Sequence, residues 1–150
     1  MDILTATSFE GVVLTPKQIF NNPHGDVLRV IRSSDSHFNK FGEAYFSFIN
    51  FGAVKGWKLH KSMTLNLVVP LGSVFFVLAI KDPDSGFKFR TFNLSIQCHS
   101  VLTIPPGIWV AFKGLEQQNL LLNVASEVHS SNEYLVTNLT DIPFDFSMES

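Results

Sequence analysis

Two basic side chains at alternating positions, Lys58 and His60, are the residues of this sequence best suited to chemistry. They occur in the run Trp57-Lys58-Leu59-His60, and successive side chains of a strand point to opposite faces of its sheet. Lys58 and His60 therefore share one face. Histidine transfers protons near neutral pH, whereas a lysine acts as a base when it is desolvated and binds an oxyanion when it is charged. The alternative is that this face is the solvated outer surface of a sheet.

Two asparagines in apolar strands and one tryptophan are further candidates for a binding pocket. Asn66 lies in the run Thr64–Val69, and Asn123 lies in Leu-Leu-Leu-Asn-Val-Ala. A buried amide needs hydrogen-bond partners, so we predict that both asparagines face a pocket that binds substrate. Trp109 is expected to form a wall of that pocket or to stack on a sugar or base, while Trp57 is expected in the core.

Several common kinds of site are excluded by the sequence. It has no GxxxxGK[ST] or GxGxxG phosphate loop and no GxSxG nucleophile elbow. The only cysteine, Cys98, cannot form a cysteine pair for zinc or a disulfide, which favours a reducing compartment. We expect its thiol to be buried and inert. The net charge of -2 indicates neither a nucleic acid nor an anionic membrane as partner.

The elements that would position these residues are short strands. The chain has 150 residues, which suits one domain, and its 15 phenylalanines favour half-buried sheet surfaces. Turns rich in glycine and proline separate ten predicted strands, and this spacing indicates an all-β sandwich or barrel. The predicted strands are Gly11–Leu14, Val27–Ile31, Ala44–Asn50, Val54–His60, Thr64–Val69, Val74–Ile80, Phe87–Phe92, Val101–Ile104, Trp109–Phe112 and Asn119–Ala125.

One short helix and a loose tail complete the predicted domain. Ser34 or Asp35 is expected to cap a helical turn through Ser36–Phe41, which Gly42 would end. Residues 146–150 are expected to form a loose tail. The sequence begins without a signal peptide and has no apolar run of about 20 residues, so we predict a cytoplasmic protein without a membrane span.

The run from Gly52 to Gly72, with Lys58 and His60 inside it, resembles the first cupin motif, and Pro105-Pro106-Gly107 with the residues after it resembles the second. Within the cupins, Gly52–Lys58 and Ile104–Phe112 are similar to two motifs of the dTDP-4-dehydrorhamnose 3,5-epimerase family. The tail Asn138–Phe146 is similar to the end of that family's pattern. The resemblance spans about His24 to Phe146 and implies a single-domain jelly-roll barrel.

The resemblance also locates the family's catalytic groups, and all of them are changed. The histidine base falls at Lys58, its aspartate at Leu139, and the tyrosine acid has no counterpart near Ala125–Val128. Lys58 and His60 are then expected to share proton transfer and enolate stabilisation. Glu127 or His129 would serve as the second acid. Lys55 would replace a phosphate-binding arginine, and His24 an arginine that contacts phosphate.

The resemblance implies a homodimer that needs no cofactor and acts on a nucleotide-diphospho sugar for cell-surface polysaccharides. The expected reaction is proton abstraction beside the ketone of a dTDP-linked or other nucleotide-linked 4-keto-6-deoxy sugar. A catalytically silent cupin that binds a nucleotide sugar, a glycan or a protein partner is the alternative. A metal cupin is the least favoured interpretation, because only His60 survives of the usual ligands and we predict no metal site.

Overall fold

The computed structural model describes residues 5–148 as an all-β domain. The strands are β1 (Val13–Pro16), β2 (Ile19–Phe20), β3 (Val27–Leu28), β4 (Glu43–Asn50), β5 (Val54–His60), β6 (Leu65–Leu71), β7 (Ser73–Asp82), β8 (Gly86–Ser95), β9 (Ser100–Ile104), β10 (Trp109–Gly114), β11 (Gln118–Ala125) and β12 (Tyr134–Val136). Three single-turn 3₁₀ helices span Ile96–Cys98, Leu139–Asp141 and Phe146–Met148.

Two antiparallel sheets face each other as a jelly roll. The first has the strand order β1-β9-β6-β11-β4, the second has the order β12-β5-β10-β7-β8, and β2 and β3 form a separate hairpin. Alternate side chains from the facing surfaces form the main core, and Phe76, Leu78, Leu102 and Ile104 are among those fully buried. The expected all-β jelly-roll fold is confirmed.

The second sheet is buried on both faces. Its outer face carries Trp57, Leu59 and Trp109, and the C-terminal segment covers this face with Ile142 and Phe144. Burial on both faces explains why β7 reads as a continuous apolar run instead of an alternating one. Trp57 is fully buried, which confirms its predicted place in the core.

The C-terminal segment is more ordered than the sequence indicates. The Phe146 ring lies 5.9 Å from the Trp57 ring, and residues 146–148 form a turn. Residues 146–148 of the predicted loose tail are therefore ordered, and its last two residues, Glu149 and Ser150, lie outside the described residues.

Each of the ten predicted strands overlaps an observed one, but two other expectations are wrong. Residues 33–37 form consecutive turns and no helix, because the Asp35 carboxylate binds Lys17 Nζ at 2.7 Å and the backbone N–H of Arg32 at 2.8 Å. Cys98 is exposed, since it ends a surface 3₁₀ turn that contributes nothing to the core. Within residues 5–148, no helix is long and apolar enough to cross a membrane.

Candidate active site

A cavity of about 250 Å³ lies between the two sheets, with side chains from both sheets in its walls. The second sheet contributes Lys55, Gly56, Lys58, His60, Val110 and Phe112, and the first contributes Tyr45, Ser47, Leu65, Leu67, Leu121 and Asn123. Lys58 and His60 therefore point into the barrel. The alternative that they lie on a solvated outer face is wrong.

A bulge in β5 brings a second lysine to the same cavity. Lys58 pairs with Val110 and Lys55 with Phe112, so β5 has one more residue than β10 between these pairs. Without that extra residue, strict alternation would turn Lys55 toward the outer face with Trp57. Gly56 occupies the bulge at a φ of 151°, where an added Cβ would lie 2.4 Å from Ala111 Cβ. Only glycine fits at this position.

His60 is held by a carboxylate. Its Nδ1 lies 2.6 Å from Glu133 Oε1, and both residues are more than nine-tenths buried. The other oxygen, Oε2, accepts hydrogen bonds from the backbone N–H groups of Ser62 and Met63, each at 3.0 Å. Three donors thus fix the Glu133 carboxylate, which in turn fixes the orientation of the imidazole.

The ionisation of this pair follows from its surroundings. Burial lowers the pKa of His60 below its ordinary value and outweighs the bond to Glu133, which raises it. Burial raises the pKa of Glu133, but the hydrogen bonds from His60, Ser62 and Met63 together outweigh burial. The net effect is a pKa below the ordinary value of a glutamate. Near neutral pH the pair is therefore a neutral imidazole beside a carboxylate. Because a carboxylate only accepts hydrogen bonds, Nδ1 carries the proton and Nε2 is free to act as a base.

Lys58 lies beside His60 and is held by an aromatic ring. Its Nζ is 4.0 Å from the centre of the Tyr134 ring, within the range of a cation–π contact. Tyr134 pairs with His60 across the β5–β12 ladder, and the two rings are 6.4 Å apart. The same strand, β12, thus supports both basic groups.

The facing sheet presents a tyrosine hydroxyl to the cavity. Asn123 Nδ2 donates to Tyr45 Oη at 3.0 Å, while Asn123 Oδ1 accepts the backbone N–H of Asn66. The Tyr45 hydroxyl is left with its own proton to donate. At the mouth of the cavity, Lys55 Nζ donates to Ser47 Oγ at 3.1 Å and to the carbonyl of Phe48 at 2.8 Å.

The structure therefore places four of the predicted site residues in one cavity, namely Lys55, Lys58, His60 and Asn123. Asn66 does not join them, because its neighbours Leu65 and Leu67 take the inward positions of β6. Its side chain instead accepts the Thr103 hydroxyl at 2.7 Å and lies 3.2 Å from His37. Trp109 does not line the cavity either. It precedes the cavity residue Val110 in β10, so its side chain points to the opposite face and belongs to the outer cluster.

The three remaining candidates lie outside the cavity as well. Glu127 forms an ion pair with Lys40 at 2.8 Å. His129 is exposed, and its ring packs on Tyr134 at 5.3 Å. His24 occupies the exposed turn of the β2–β3 hairpin, where its backbone N–H binds Asn22 Oδ1. None of the three contributes a wall of the cavity.

Sequence reasoning missed Glu133 and Tyr45. Glu133 precedes a strand of three residues that was not predicted, so nothing in the sequence indicated its contact with His60 across 73 positions. Tyr45 and Ser47 lie two residues apart in a predicted strand, so their side chains share one face. The apolar residues between and beside them indicate that this polar face differs from the other, and this signal could have revealed Tyr45. Among residues 5–148, no three His, Cys, Asp or Glu side chains gather as a metal site would require.

Comparison with solved structures gives the same fold. A dTDP sugar isomerase from Desulfovibrio desulfuricans G20 superposes with a TM-score of 0.87 and 28% identity over 95% of this chain and 94% of that one. A dTDP-4-dehydrorhamnose 3,5-epimerase from Sulfolobus tokodaii gives 0.79 and 21% over 94% and 85%. A mutant 3,4-ketoisomerase from Thermoanaerobacterium thermosaccharolyticum, in complex with TDP-4-keto-6-deoxyglucose, gives 0.71 and 22% over 85% and 88%.

No family model and no curated protein matches the sequence. The chain nevertheless has the cupin fold of the dTDP-4-dehydrorhamnose 3,5-epimerase-like proteins, as its motifs predicted.

Proposed function

We propose that this protein is a cofactor-independent isomerase or epimerase of a nucleotide-linked 4-keto-6-deoxy sugar. The observation that carries the proposal is the buried pair of His60 and Glu133 at a cavity that also contains Lys58. The similarity to dTDP-sugar isomerases and epimerases supports the substrate class. The pair is a histidine base oriented by a carboxylate, although neither residue stands at the position that the family motifs indicate.

The proposed reaction begins with the neutral imidazole of His60. Its Nε2 removes the proton from the carbon beside the ketone, and the electrons of the C–H bond move onto the ketone oxygen to give an enolate. The Lys58 ammonium stabilises the negative oxygen. Glu133 then stabilises the imidazolium that forms, because its carboxylate remains bound to Nδ1–H.

The arrangement of groups favours isomerisation over epimerisation. In isomerisation, the hydroxyl on the carbon that lost its proton gives its own proton to the former ketone oxygen, so that this carbon becomes the new ketone. The proton held by His60 then goes to the former ketone carbon, which becomes the carbon of the new hydroxyl group. His60 alone can serve both carbons from one side. Epimerisation also needs a donor on the opposite face, and in this cavity the Tyr45 hydroxyl on the facing sheet is our candidate.

The size of the cavity indicates how the substrate would sit. Its volume of about 250 Å³ is below the roughly 300–1,000 Å³ of pockets that enclose drug-sized ligands. We infer that the sugar ring enters and that the nucleotide stays outside. Lys55, at the mouth, is exposed and already oriented by Ser47, so its ammonium is the group we assign to the diphosphate.

We further propose a homodimer, in which the outer face of β4 meets a second copy. β4 is an edge strand, and its outward side chains Phe46 and Phe48 are 63% and 69% exposed. Large exposed apolar side chains on an unprotected edge are typical of an interaction surface. Sedimentation equilibrium should give a dimer that Phe46→Ser/Phe48→Ser dissociates and that Val128→Ser, at an equally exposed valine, leaves intact. A wild-type monomer would refute this.

From the family resemblance we also propose that the enzyme supplies sugars for cell-surface polysaccharides. From its single cysteine, which favours a reducing compartment, we propose that it works in the cytoplasm.

The catalytic proposal is tested by incubating the protein with dTDP-4-keto-6-deoxyglucose and following the sugar protons by NMR. We expect new signals from a 3-keto isomer or an epimer. His60→Asn, which can still bind Glu133, should abolish them, whereas His24→Asn at the exposed hairpin should not. Tight binding of the sugar nucleotide without any product would instead identify a silent cupin.

A further inference from the structure

A second cleft lies where β1, the β2–β3 hairpin and the following segment meet. Its volume is about 460 Å³, and its walls include Thr15, Lys17, Phe20, Arg29, Arg32 and Asp35. It shares no lining residue with the cavity between the sheets. Nothing in the proposed reaction uses these residues.

The one carboxylate that lines the cleft, that of Asp35, already has two hydrogen-bond donors. Asp35 Oδ2 accepts Lys17 Nζ at 2.7 Å and the backbone N–H of Arg32 at 2.8 Å. The bond from Lys17, followed by that from Arg32, lowers the pKa of Asp35 to about 2. Asp35 therefore neutralises Lys17, whose side chain is almost fully buried, and its other oxygen, Oδ1, forms a longer ion pair with Arg32 Nε at 3.7 Å.

The cleft nevertheless keeps an excess of positive charge, because one carboxylate faces one lysine and two arginines. Arg29 lies over the Phe20 ring at 5.2 Å, which restrains its side chain, and no carboxylate among residues 5–148 forms an ion pair with it. The Arg32 side chain is 59% exposed at the rim. With Lys17 and Asp35 cancelling, the cleft carries a charge of +2, whereas the whole chain carries -2. A positive site in an acidic protein concentrates anions locally.

We propose that this cleft binds a phosphate group through Arg29 and Arg32. The planar guanidinium fork matches the oxygens of a phosphate and forms paired hydrogen bonds with them. The Thr15 hydroxyl supplies a further polar group on the wall. The phosphate has two sources, free inorganic phosphate or a nucleoside diphosphate, and Phe20 gives the second of these an aromatic surface beside the arginines.

The test is a titration of ¹⁵N-labelled protein with inorganic phosphate, and in parallel with dTDP, at constant ionic strength. We expect the Arg29 and Arg32 side-chain Nε signals to shift and saturate. Arg90 is a matched control, because it also lies 5.2 Å over a phenylalanine ring, that of Phe92, outside the cleft. Saturation at lower concentration by dTDP would identify the nucleotide as the source, and equal or tighter binding of inorganic phosphate would identify the free ion.

Variants make the test decisive. Arg29→Ala/Arg32→Ala should weaken binding by roughly tenfold or more, since hydrogen bonds to charged groups contribute at least that much. Arg90→Ala should leave the affinity of the cleft unchanged. Arginine signals that stay fixed, or that shift no more than Arg90, would overturn the proposal.

Discussion

Replacing Glu133 with glutamine should leave the fold intact and remove the base. In Glu133→Gln, the amide oxygen can keep the two backbone N–H donors of Ser62 and Met63. The amide NH₂ then faces His60 Nδ1, which must become an acceptor. The imidazole proton moves to Nε2, so the nitrogen that faces the substrate can no longer remove a proton.

The size of the effect can be worked from these contacts. The wrong tautomer of a catalytic histidine costs about 10⁴ in turnover in the serine protease triad, so we expect a loss of about 10²–10⁴ here. Three charge-assisted hydrogen bonds become neutral ones, which should lower the free energy of unfolding by about 2–3 kcal/mol. Turnover is measured by NMR with dTDP-4-keto-6-deoxyglucose, and stability by urea unfolding.

Glu127→Gln is the matched control for this experiment. Its carboxylate forms a surface ion pair with Lys40, and such pairs contribute about 0–1 kcal/mol. We expect wild-type turnover and nearly unchanged stability. If Glu133→Gln turned over at the same rate as the wild type and Glu127→Gln, the assignment of Glu133 as the orienting carboxylate would be wrong.

Further substitutions test other parts of the account. Tyr45→Phe should lower an epimerase activity by about 10²–10⁴ but an isomerase activity much less, because only epimerisation needs a donor on the facing sheet; the ratio of the two products by NMR decides this. Gly56→Ala should lower the free energy of unfolding by several kcal/mol, compared with about 1 kcal/mol for a typical point variant, because the added Cβ would collide with Ala111. Urea unfolding measures this loss. Because the pKa of Asp35 is lowered to about 2 from 3.8, its ionised form stabilises the fold above about pH 4, and that stabilisation is lost between about pH 4 and 2. The difference in stability between wild type and Asp35→Asn should vanish across that window, and a difference that persists below it would refute the role of the carboxylate.

The fold was predictable because its signals are local. Alternation and turn chemistry located all nine strands of four or more residues, as well as the two-residue strand β3. The same alternation correctly put Lys58 and His60 on one face. Val74–Ile80 is predictable as a strand although its polar and apolar residues do not alternate, because the turn residues Gly72 and Pro83 mark its two ends. The unpredicted strands β2 and β12 have two and three residues, too few for any periodic pattern.

The site was only partly predictable, because its key contacts are long-range. Alternation by itself would put Lys55 with Trp57, and only the bulge at Gly56 returns it to the cavity. Asn66 and Asn123 occupy similar apolar runs, yet the strand register turns one outward and the other inward. The family motif puts the orienting aspartate at Leu139, and the carboxylate nearest to it, that of Asp141, only caps its own turn through Thr137 and Asn138.

The central claim is that His60 removes a carbon-bound proton beside a ketone. It is tested most directly by incubating excess protein with dTDP-4-keto-6-deoxyglucose in D₂O and measuring deuterium at each sugar carbon by NMR and mass spectrometry. We predict deuterium at a carbon next to the ketone with the wild-type protein, and none above background with His60→Asn. An absence of exchange with the wild-type protein, or equal exchange in the variant, would contradict the account.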